Sequence, residues 1–186
     1  MTDYERAVGQ VLADPRYQRN IDYGEPRSGH PEGAVRQHIV RLEANLEHFR
    51  PRLAGDQDYW KLLFLIHVHD TFKAEADPGV ASLHPRSHAS LARAFAAEFT
   101  DDADLLNMVQ YHDENYALYQ QWAGKGSYNR ARFEALLNTI QDWDLFLIFT
   151  IIDGWTEGKD LAKLRWFIVE VGQFRPTRVD QSWVPA

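Results

Sequence analysis

The feature of this chain that most constrains its fold is the spacing of its apolar residues, which recur every three or four positions. The clearest stripe consists of Val35, Ile39, Leu42, Leu46, Phe49 and Leu53. Such spacing places side chains on one face of an α-helix, whereas a half-buried β-strand would alternate apolar and polar residues. The sequence shows no convincing alternation of that kind, no internal repeat and no linker. Because 186 residues are enough to bury a substantial core, we predict one compact all-α domain over residues 1–186.

About six main helices are predicted from this spacing, whereas the first 33 residues are predicted to be irregular. The first helix follows the stripe from Val35 and ends or bends near Pro51, because proline cannot continue the helical hydrogen bonds. The second, residues 59–76, is apolar on nearly every face and is predicted to be the central buried helix. A third is predicted to begin at Pro85, a fourth to run from a cap near Thr100 to Tyr116, and two more to span about residues 129–152 and 160–171.

The composition limits the available chemistry, because the chain has no cysteine and eight histidines. It therefore has no disulfide, no thiolate nucleophile and no sulfur ligand, so any metal would be held by nitrogen and oxygen donors from His, Asp and Glu. The net charge of −7 argues against long nucleic acid as the main ligand, since phosphate backbones bind to basic surfaces. A small ligand is expected instead.

The location of the protein is predicted from the sorting signals that the sequence lacks. Its first ten residues, MTDYERAVGQ, show neither the basic segment nor the apolar run of a signal peptide. The longest apolar stretches, residues 62–66 and 145–152, are far shorter than the roughly 20 residues that a membrane helix needs. We expect a cytoplasmic protein without a membrane partner, and the oligomeric state stays open.

Six side chains that can bind a metal fall on the inward faces of the predicted helices: His38, His69, Asp70, His88, His112 and Asp153. His38, for example, lies three residues after Val35 and four before Leu42, on the apolar stripe. A single inward histidine is usually satisfied within a core, but a buried carboxylate is costly unless it is paired, hydrogen-bonded or bound to a metal. Because several such groups converge in one small domain, we predict a site for a divalent cation, whose charge would offset theirs.

The order of these residues resembles that of the HD-domain superfamily of metal-dependent phosphohydrolases: a histidine, an adjacent His-Asp pair and a distant aspartate on a late helix. The resemblance covers about residues 29–159, the predicted metal-binding core. Two further stretches, HPEG at residues 30–33 and YHD at residues 111–113, resemble the HD domains attached to bacterial tRNA nucleotidyltransferases. The resemblance implies that a metal binds to His38, His69, Asp70 and Asp153.

Some members of this superfamily hold a second metal, which the aspartate of the His-Asp pair bridges to the first. His88 and His112 occupy the places of the two additional histidines that those members use. The resemblance therefore implies one or two divalent ions, of Mn, Fe, Co, Ni, Zn or Mg. The alternative is that these two histidines bind a substrate phosphate, or only cap or pack helices.

The activity that the resemblance implies is the hydrolysis of a small phosphorylated substrate, a phosphomonoester or phosphodiester such as a nucleotide. A metal ion lowers the pKa of bound water and offsets the charge of the phosphate oxygens. Asp70 and Lys73 are the candidate catalytic residues: Asp70 as a metal ligand, and Lys73 as a contact for the phosphoryl oxygens. Lys73 is joined by His30 and Arg86 as candidate substrate-binding residues.

Two alternative functions remain open. The same order of ligands is similar to that of HD-domain di-iron oxygenases, such as myo-inositol oxygenase and the organophosphonate-cleaving oxygenases, which need redox-active iron. Tyr23, upstream of His38, invites that comparison but does not decide it. The other alternative is a non-catalytic ligand-binding or interaction domain in which the metal is structural.

Other side chains have less defined roles. His67 lies on another face of its helix than the His-Asp pair and is predicted to be a core or interhelix hydrogen bonder, whereas His48 is predicted to be solvated or partly packed. His84 could flank the site or cap a helix, and Asp113 could orient His112. Four aromatic residues are candidates either for a substrate pocket or for ordinary core and surface positions: Tyr111, Tyr116, Tyr119 and Trp122. Trp183 is predicted to be exposed in the C-terminal tail.

Overall fold

The computed structural model describes residues 3–26, 33–156 and 160–185. These residues form helices and turns without a β-strand, which confirms the predicted all-α fold. The α-helices are α1 (Asp3–Ala13), α2 (Pro15–Asn20), α3 (Val35–Phe49), α4 (Asp56–Val68), α5 (His88–Ala96), α6 (Ala103–Tyr111), α7 (Glu114–Lys125), α8 (Arg130–Thr139), α9 (Trp143–Gly154) and α10 (Ala162–Gly172). Short 3-10 turns at Arg50–Arg52 and Gln181–Trp183 follow α3 and α10.

The central helix of the bundle is α4, which contacts α1, α3, α5, α6 and α9. Residues 64–68 of α4 are all buried, and so are residues 145–152 of α9. Burying a large apolar side chain stabilises a fold by about 1.5–3 kcal/mol, so these two helices supply much of the core. The prediction that the second helix is central and buried is therefore confirmed.

The prediction that the first 33 residues are irregular is wrong for α1 and α2, whereas residues 21–26 form no helix. α1 packs against α4 through its buried face, which includes Ala7, Val8 and Val11. This face is only three turns long and partly made of alanine, so its sequence signal is weak. α2 begins at Pro15, where the carboxylate of Asp14 accepts a hydrogen bond from a backbone N–H at 2.8 Å.

Three predicted helices are shorter or begin later than their apolar spacing indicates. The described residues hold ten α-helices rather than about six because α1 and α2 are not among the predicted helices and because the predicted fourth and fifth helices are each divided in two. α4 ends at Val68, and tight turns with hydrogen bonds from residue i+3 to residue i continue the chain to residue 76. α5 begins at His88 behind the cap Ser87, not at Pro85. The predicted fourth helix ends at Tyr111, and α7 starts two residues beyond His112.

The predicted fifth helix is broken into α8 and α9, which meet at an angle of 116°. The carboxylate of Asp104 accepts hydrogen bonds from the backbone N–H groups of Gln141 and Asp142, each at 2.8 Å. Asp142 in turn caps α9 through the N–H of Leu145. No single helix within the described residues is long and apolar enough to cross a membrane. α8 and α9 together have the length and apolar composition for it, but the chain is bent between them.

The C-terminal segment is packed against the bundle, so the prediction of an exposed Trp183 is wrong. Its side chain is only 8% exposed. The indole stacks on Phe49 with ring centroids 6.2 Å apart, and the guanidinium of Arg52 lies over its face at 4.2 Å. The predicted end of the first helix near Pro51 is confirmed, because α3 gives way there to a 3-10 turn. α7 ends at Lys125 and is followed by Gly126, whose φ of 68° favours glycine.

Asp102 is predicted to be the most consequential cap of the fold because it joins three helices. Its carboxylate caps α6 by accepting from two backbone N–H groups, accepts a hydrogen bond from Tyr4 of α1 at 2.6 Å, and pairs with Lys61 of α4 at 3.0 Å. We expect Asp102→Ala to lower the free energy of unfolding by about 2–3 kcal/mol. The neighbouring exposed carboxylate of Asp101 offers a control. Asp101→Ala should change the free energy of unfolding by less than about 0.5 kcal/mol. Equal losses in urea titrations of the two variants would contradict this assignment.

The stabilisation of the fold by Asp102 should also depend on pH. Burial raises the pKa of this carboxyl, but hydrogen bonds from Tyr4 and a backbone N–H, together with Lys61, outweigh burial and lower the pKa below its ordinary value. A depressed pKa stabilises the fold fully above the pKa of the unfolded chain, about 3.9, and this stabilisation is lost as the pH falls through the lower folded value. The difference between wild type and Asp102→Ala should therefore be constant near neutrality and shrink below about pH 4.

Candidate metal centre

The six side chains predicted as ligands come together beside the end of α4, where they form two groups of three. The first group consists of His38, His69 and Asp153, and the second group of Asp70, His88 and His112. Within each group, one nitrogen or oxygen atom from each side chain lies within 4.8 Å of the others. Either group of buried or partly buried donors could therefore hold a metal ion.

Helix ends position all six of these side chains. His38 lies in the first turn of α3, His69 and Asp70 directly follow α4, His88 opens α5, His112 directly follows α6, and Asp153 is the penultimate residue of α9. Five helices thus end or begin at one place in the bundle. The sequence spacing predicts that these residues face inward, and the structure adds that the chain turns at most of them.

The donors of the first group lie at spacings that suit one small cation. The Nε2 of His38 is 2.9 Å from the Oδ1 of Asp153, and the Nε2 of His69 is 3.7 Å from the same oxygen. Ligands about 2.1 Å from a zinc-sized ion are about 3.0–3.4 Å apart at right-angled or tetrahedral geometry. The observed distances lie around that range, so the residues fit an ion bound between them.

The second group has a similar arrangement and an additional carboxylate. The Nε2 atoms of His88 and His112 are 3.1 Å apart, and they lie 3.8 and 3.6 Å from the Oδ1 of Asp70. The Oδ2 of Asp113 lies 3.2 Å from the Nε2 of His88 and 3.6 Å from that of His112. Asp113 is therefore a further oxygen donor within reach of this group.

Asp70 faces both groups, one through each carboxylate oxygen. Its Oδ2 is 3.4 Å from the Nε2 of His69 and 3.9 Å from the Nε2 of His38, whereas its Oδ1 faces His88 and His112. The side chain is buried, and Oδ1 makes no hydrogen bond with any described residue. A buried carboxylate oxygen without a hydrogen bond is costly unless a positive charge faces it.

The orientation of two imidazoles leaves Nε2 as the atom that can bind a cation. The Nδ1 of His69 is 3.1 Å from the carbonyl oxygens of Leu65 and Ile66, and the Nδ1 of His112 is 2.8 Å from the carbonyl oxygen of Val109. A carbonyl accepts but never donates, so in each ring Nδ1 carries the proton. The neutral ring then presents the lone pair of Nε2 to its group, the tautomer that metal-binding histidines use.

The site attracts positive charge. Burial alone lowers the pKa of His69, but the carboxylates of Asp70 and Asp153 outweigh it and raise that pKa to about 10. Burial alone raises the pKa of Asp70, but the Lys73 ammonium and the His69 imidazole hold it well below its ordinary value. The same negative potential that favours a proton on the imidazole also favours a bound cation, and the two compete for Nε2.

Lys73 lies beside the metal-ligand candidates, as predicted from its spacing. Its ammonium donates a hydrogen bond to the Oδ2 of Asp70. Burial lowers the pKa of this lysine, but the nearby carboxylates, Asp70 first among them, raise it above its ordinary value. Lys73 also lines two cavities, one of about 820 Å³ next to His88 and one of about 510 Å³ next to His38. It is therefore a permanent positive charge at the boundary between them.

The other predicted substrate contacts are not part of the two groups. Arg86 is exposed, and its guanidinium forms two hydrogen bonds of 3.0 Å with the carboxylate of Asp77. His30 lies outside the described residues, so its predicted contact with an anion stays a prediction. His84 accepts a hydrogen bond from the backbone N–H of Arg86 and belongs to the turn before α5. The contribution of Arg86 to substrate binding likewise stays a prediction.

The remaining histidines have structural contacts. His67 lies 2.7 Å from the hydroxyl of Tyr17 and 3.2 Å from a carboxylate oxygen of Glu43, which confirms it as an interhelix hydrogen bonder. His48 is exposed and packs edge-on against Phe49 and Trp155, as expected for a partly packed side chain. Neither imidazole belongs to the two groups.

Two features of the site have weak sequence signals. The contact of Asp113 with His88 joins residues 25 positions apart by sequence number, and only the folded chain shows that they meet. The large cavity is also not visible in the sequence. Of the four aromatic candidates, Tyr111 and Tyr116 line this cavity, whereas Tyr119 and Trp122 pack against Trp166.

Comparisons with models of protein families, with curated proteins and with solved structures found no match to this chain. The case for a metal centre therefore depends on the donor set and its geometry alone.

Metal binding should be measurable as thermal stabilisation, and the imidazoles of the site should contribute to it. A ligand that binds only the folded protein stabilises it by about 2.7 kcal/mol at 100 times its dissociation constant. We expect Zn²⁺ or Mn²⁺ to raise the melting temperature of the chelator-treated wild type, and to raise that of His69→Ala less, because this variant lacks one ligand of the first group. The exposed His48 offers a matched control, and His48→Ala should respond like the wild type. A wild type that does not respond to any divalent ion would contradict the site.

Proposed function

We propose that this chain is a metal-dependent phosphohydrolase of the HD-domain type that uses two divalent ions to hydrolyse a small phosphate ester. The observation that carries the proposal is the position of Asp70, whose two carboxylate oxygens face two separate groups of nitrogen and oxygen donors. A carboxylate in that position is suited to bridging two ions. The proposal agrees with the ligand order that resembles the HD-domain superfamily.

Two ions account for the charges of the site better than one does. The two groups and Asp113 contribute three carboxylates, and Lys73 offsets only one of them. A single ion in the first group would leave the Oδ1 of Asp70, His88 and His112 facing each other without a positive partner. One divalent ion in each group gives every donor a cationic neighbour.

The proposed hydrolysis requires an activated water, a contact for the phosphate and a group that accepts a proton. A divalent cation on such donors activates water near neutral pH and offsets the charge of phosphate oxygens. Lys73, between the cavities, binds a non-bridging phosphoryl oxygen through its ammonium. Asp113, which is half-exposed and lines the larger cavity, accepts a proton at Oδ2 from the attacking water and returns it to the leaving oxygen.

The number of bound ions tests the binuclear part of the proposal. We expect elemental analysis after reconstitution to find two ions per chain in the wild type, about one in His88→Ala and about one in His38→Ala. His48→Ala, which changes an exposed imidazole outside the site, should keep both ions. One ion per chain in the wild type, unchanged by His88→Ala, would exclude the second site and leave a mononuclear centre.

The reaction is tested with phosphate esters and with oxygen. We expect the metal-loaded protein to release phosphate from simple monoesters, and Asp70→Asn to reduce kcat by about 100-fold or more, because it removes the charge that faces both groups. His48→Ala should retain the activity. Because the same donors suit redox-active iron, the assay includes the iron-loaded protein with O₂. Oxygen uptake without phosphate release would favour an oxygenase, and neither activity would favour a non-catalytic domain.

A further inference from the structure

The larger of the two cavities at the site has a predominantly apolar wall. It encloses about 820 Å³ and reaches the candidate metal centre, where Lys73, His88 and Asp113 line it. Away from these residues most of the lining comes from residues 76–83, from α7 and from α8, and Tyr23 and Tyr111 also line it. Its volume lies within the range of pockets that enclose most of a small organic ligand.

Small side chains make room for this cavity. Five alanines from three separate segments line it: Ala76, Ala81, Ala117, Ala131 and Ala135. Alanine offers an apolar surface without hydrogen-bonding groups and without bulk. A wall of this kind accommodates a bulky apolar group better than a polar one.

Several of the exposed large hydrophobic side chains of the molecule lie around this cavity. Tyr23 and Tyr116 are each 51% exposed and Leu83 is 60% exposed, and all three line it. Scattered exposed hydrophobic residues need no explanation, but a cluster of them around one cavity marks a binding surface. An apolar ligand would shield these side chains from water.

Two carboxylates of the wall, Glu114 and Asp77, are paired within the protein. Glu114 is buried and accepts two hydrogen bonds from the guanidinium of Arg132 and one from the hydroxyl of Ser82. Asp77 is paired with Arg86, which lies outside the cavity. These pairs satisfy Glu114 and Asp77 within the protein, so neither carboxylate requires a polar ligand as its partner.

We propose that the substrate is a phosphate monoester whose alcohol part is apolar, and that this part occupies the 820 Å³ cavity while the phosphate lies at Lys73. The inference rests on the proposed hydrolytic function and makes its substrate class more specific. It disfavours a nucleotide, because ribose and base would place several hydrogen-bonding groups against an apolar wall. The cavity is continuous with the candidate metal centre through His88 and Asp113, which connects the bound alcohol to the reacting phosphorus.

The reaction balances without any further reactant. The oxygen of one water forms a bond to phosphorus, and the bond between phosphorus and the ester oxygen breaks. The departing alkoxide takes up one proton from that water, so the products are the apolar alcohol and inorganic phosphate. No atom changes its oxidation state, so the reaction needs no oxidant or reductant.

The first experiment compares esters with similar leaving groups. Three esters of primary alcohols serve as probes: 2-(1-naphthyl)ethyl phosphate, glycerol 1-phosphate and adenosine 5′-phosphate. We expect kcat/KM of the metal-loaded protein to be at least about tenfold higher for the naphthyl ester than for the other two. An equal or higher value for glycerol 1-phosphate or adenosine 5′-phosphate would overturn the inference and leave the proposed hydrolytic function in place.

Variants then locate the effect in the cavity. Ala117→Trp on α7 places a large ring in the cavity, and it should reduce the preference for the naphthyl ester at least about tenfold. Ala123→Trp introduces the same ring at an exposed position of α7 outside the cavity, and the preference should stay that of the wild type. If Ala117→Trp does not fold, Ala135→Phe replaces it, since Ala135 lines the cavity from an exposed position on α8. A preference that survives the cavity variant would overturn the inference.

A binding measurement separates this inference from the proposed function. The probe is 2-(1-naphthyl)ethylphosphonate, whose C–P bond does not hydrolyse, and its naphthalene fluorescence is titrated without oxygen. If the protein hydrolyses none of the esters, the hydrolytic function fails, but binding that Ala117→Trp weakens at least about tenfold would still support an anionic ligand with an apolar body. Binding that is absent, or that Ala117→Trp and Ala123→Trp leave equal, would overturn it.

Discussion

The burial of the Asp70 carboxylate is the constraint on which the rest of the site depends. Asp70 is only 4% exposed, and it lies at the end of the central helix, which contacts α1, α3, α5, α6 and α9. An ionised carboxylate loses several kcal/mol of hydration in such a place unless positive charge surrounds it. Lys73 supplies part of that charge, and the imidazoles aimed at both carboxylate oxygens provide ligands for the cations that would supply the rest. The C-terminal ends of α4 and α6 and the N-terminal end of α5 therefore meet around this carboxylate.

Helix ends also set the direction of the imidazoles, and the chain uses the same local arrangement twice. The last carbonyl groups of an α-helix lack helical partners. At the end of α4 the Nδ1 of His69 lies near the carbonyl of Ile66, and at the end of α6 the Nδ1 of His112 lies near the carbonyl of Val109, three residues earlier in both cases. Each ring thereby satisfies a helix end and presents Nε2 to its group. In an uninterrupted helix, the adjacent His69 and Asp70 would diverge by about 100°, so the turn after Val68 helps both to reach the same site.

The sequence predicts the all-α class and all six donor residues. The donors can be predicted because a side chain on the inward face of a helix still faces inward when the helix ends a few residues earlier or later. His112 faces the core whether its helix continues to Tyr116 or stops at Tyr111. The boundaries themselves are less predictable, since long-range contacts decide them: the break between α8 and α9 depends on Asp104, more than 30 residues away along the chain. The cavity is less predictable still. It forms because alanines from three segments of the chain lie close together, and the local sequence of each segment does not indicate this contact.

The two cavities differ in what they would offer the ester of the proposed reaction. Carboxylates line both of them, Asp77, Asp113 and Glu114 in the larger and Asp22, Glu25 and Asp70 in the smaller, but the larger cavity has the more apolar wall. In the smaller cavity, the proposed apolar alcohol would lose the contacts that Ala117 and Leu83 offer in the larger one. Apolar burial would therefore orient the proposed ester, with its alcohol in the larger cavity and its phosphate at Lys73, which lines both cavities.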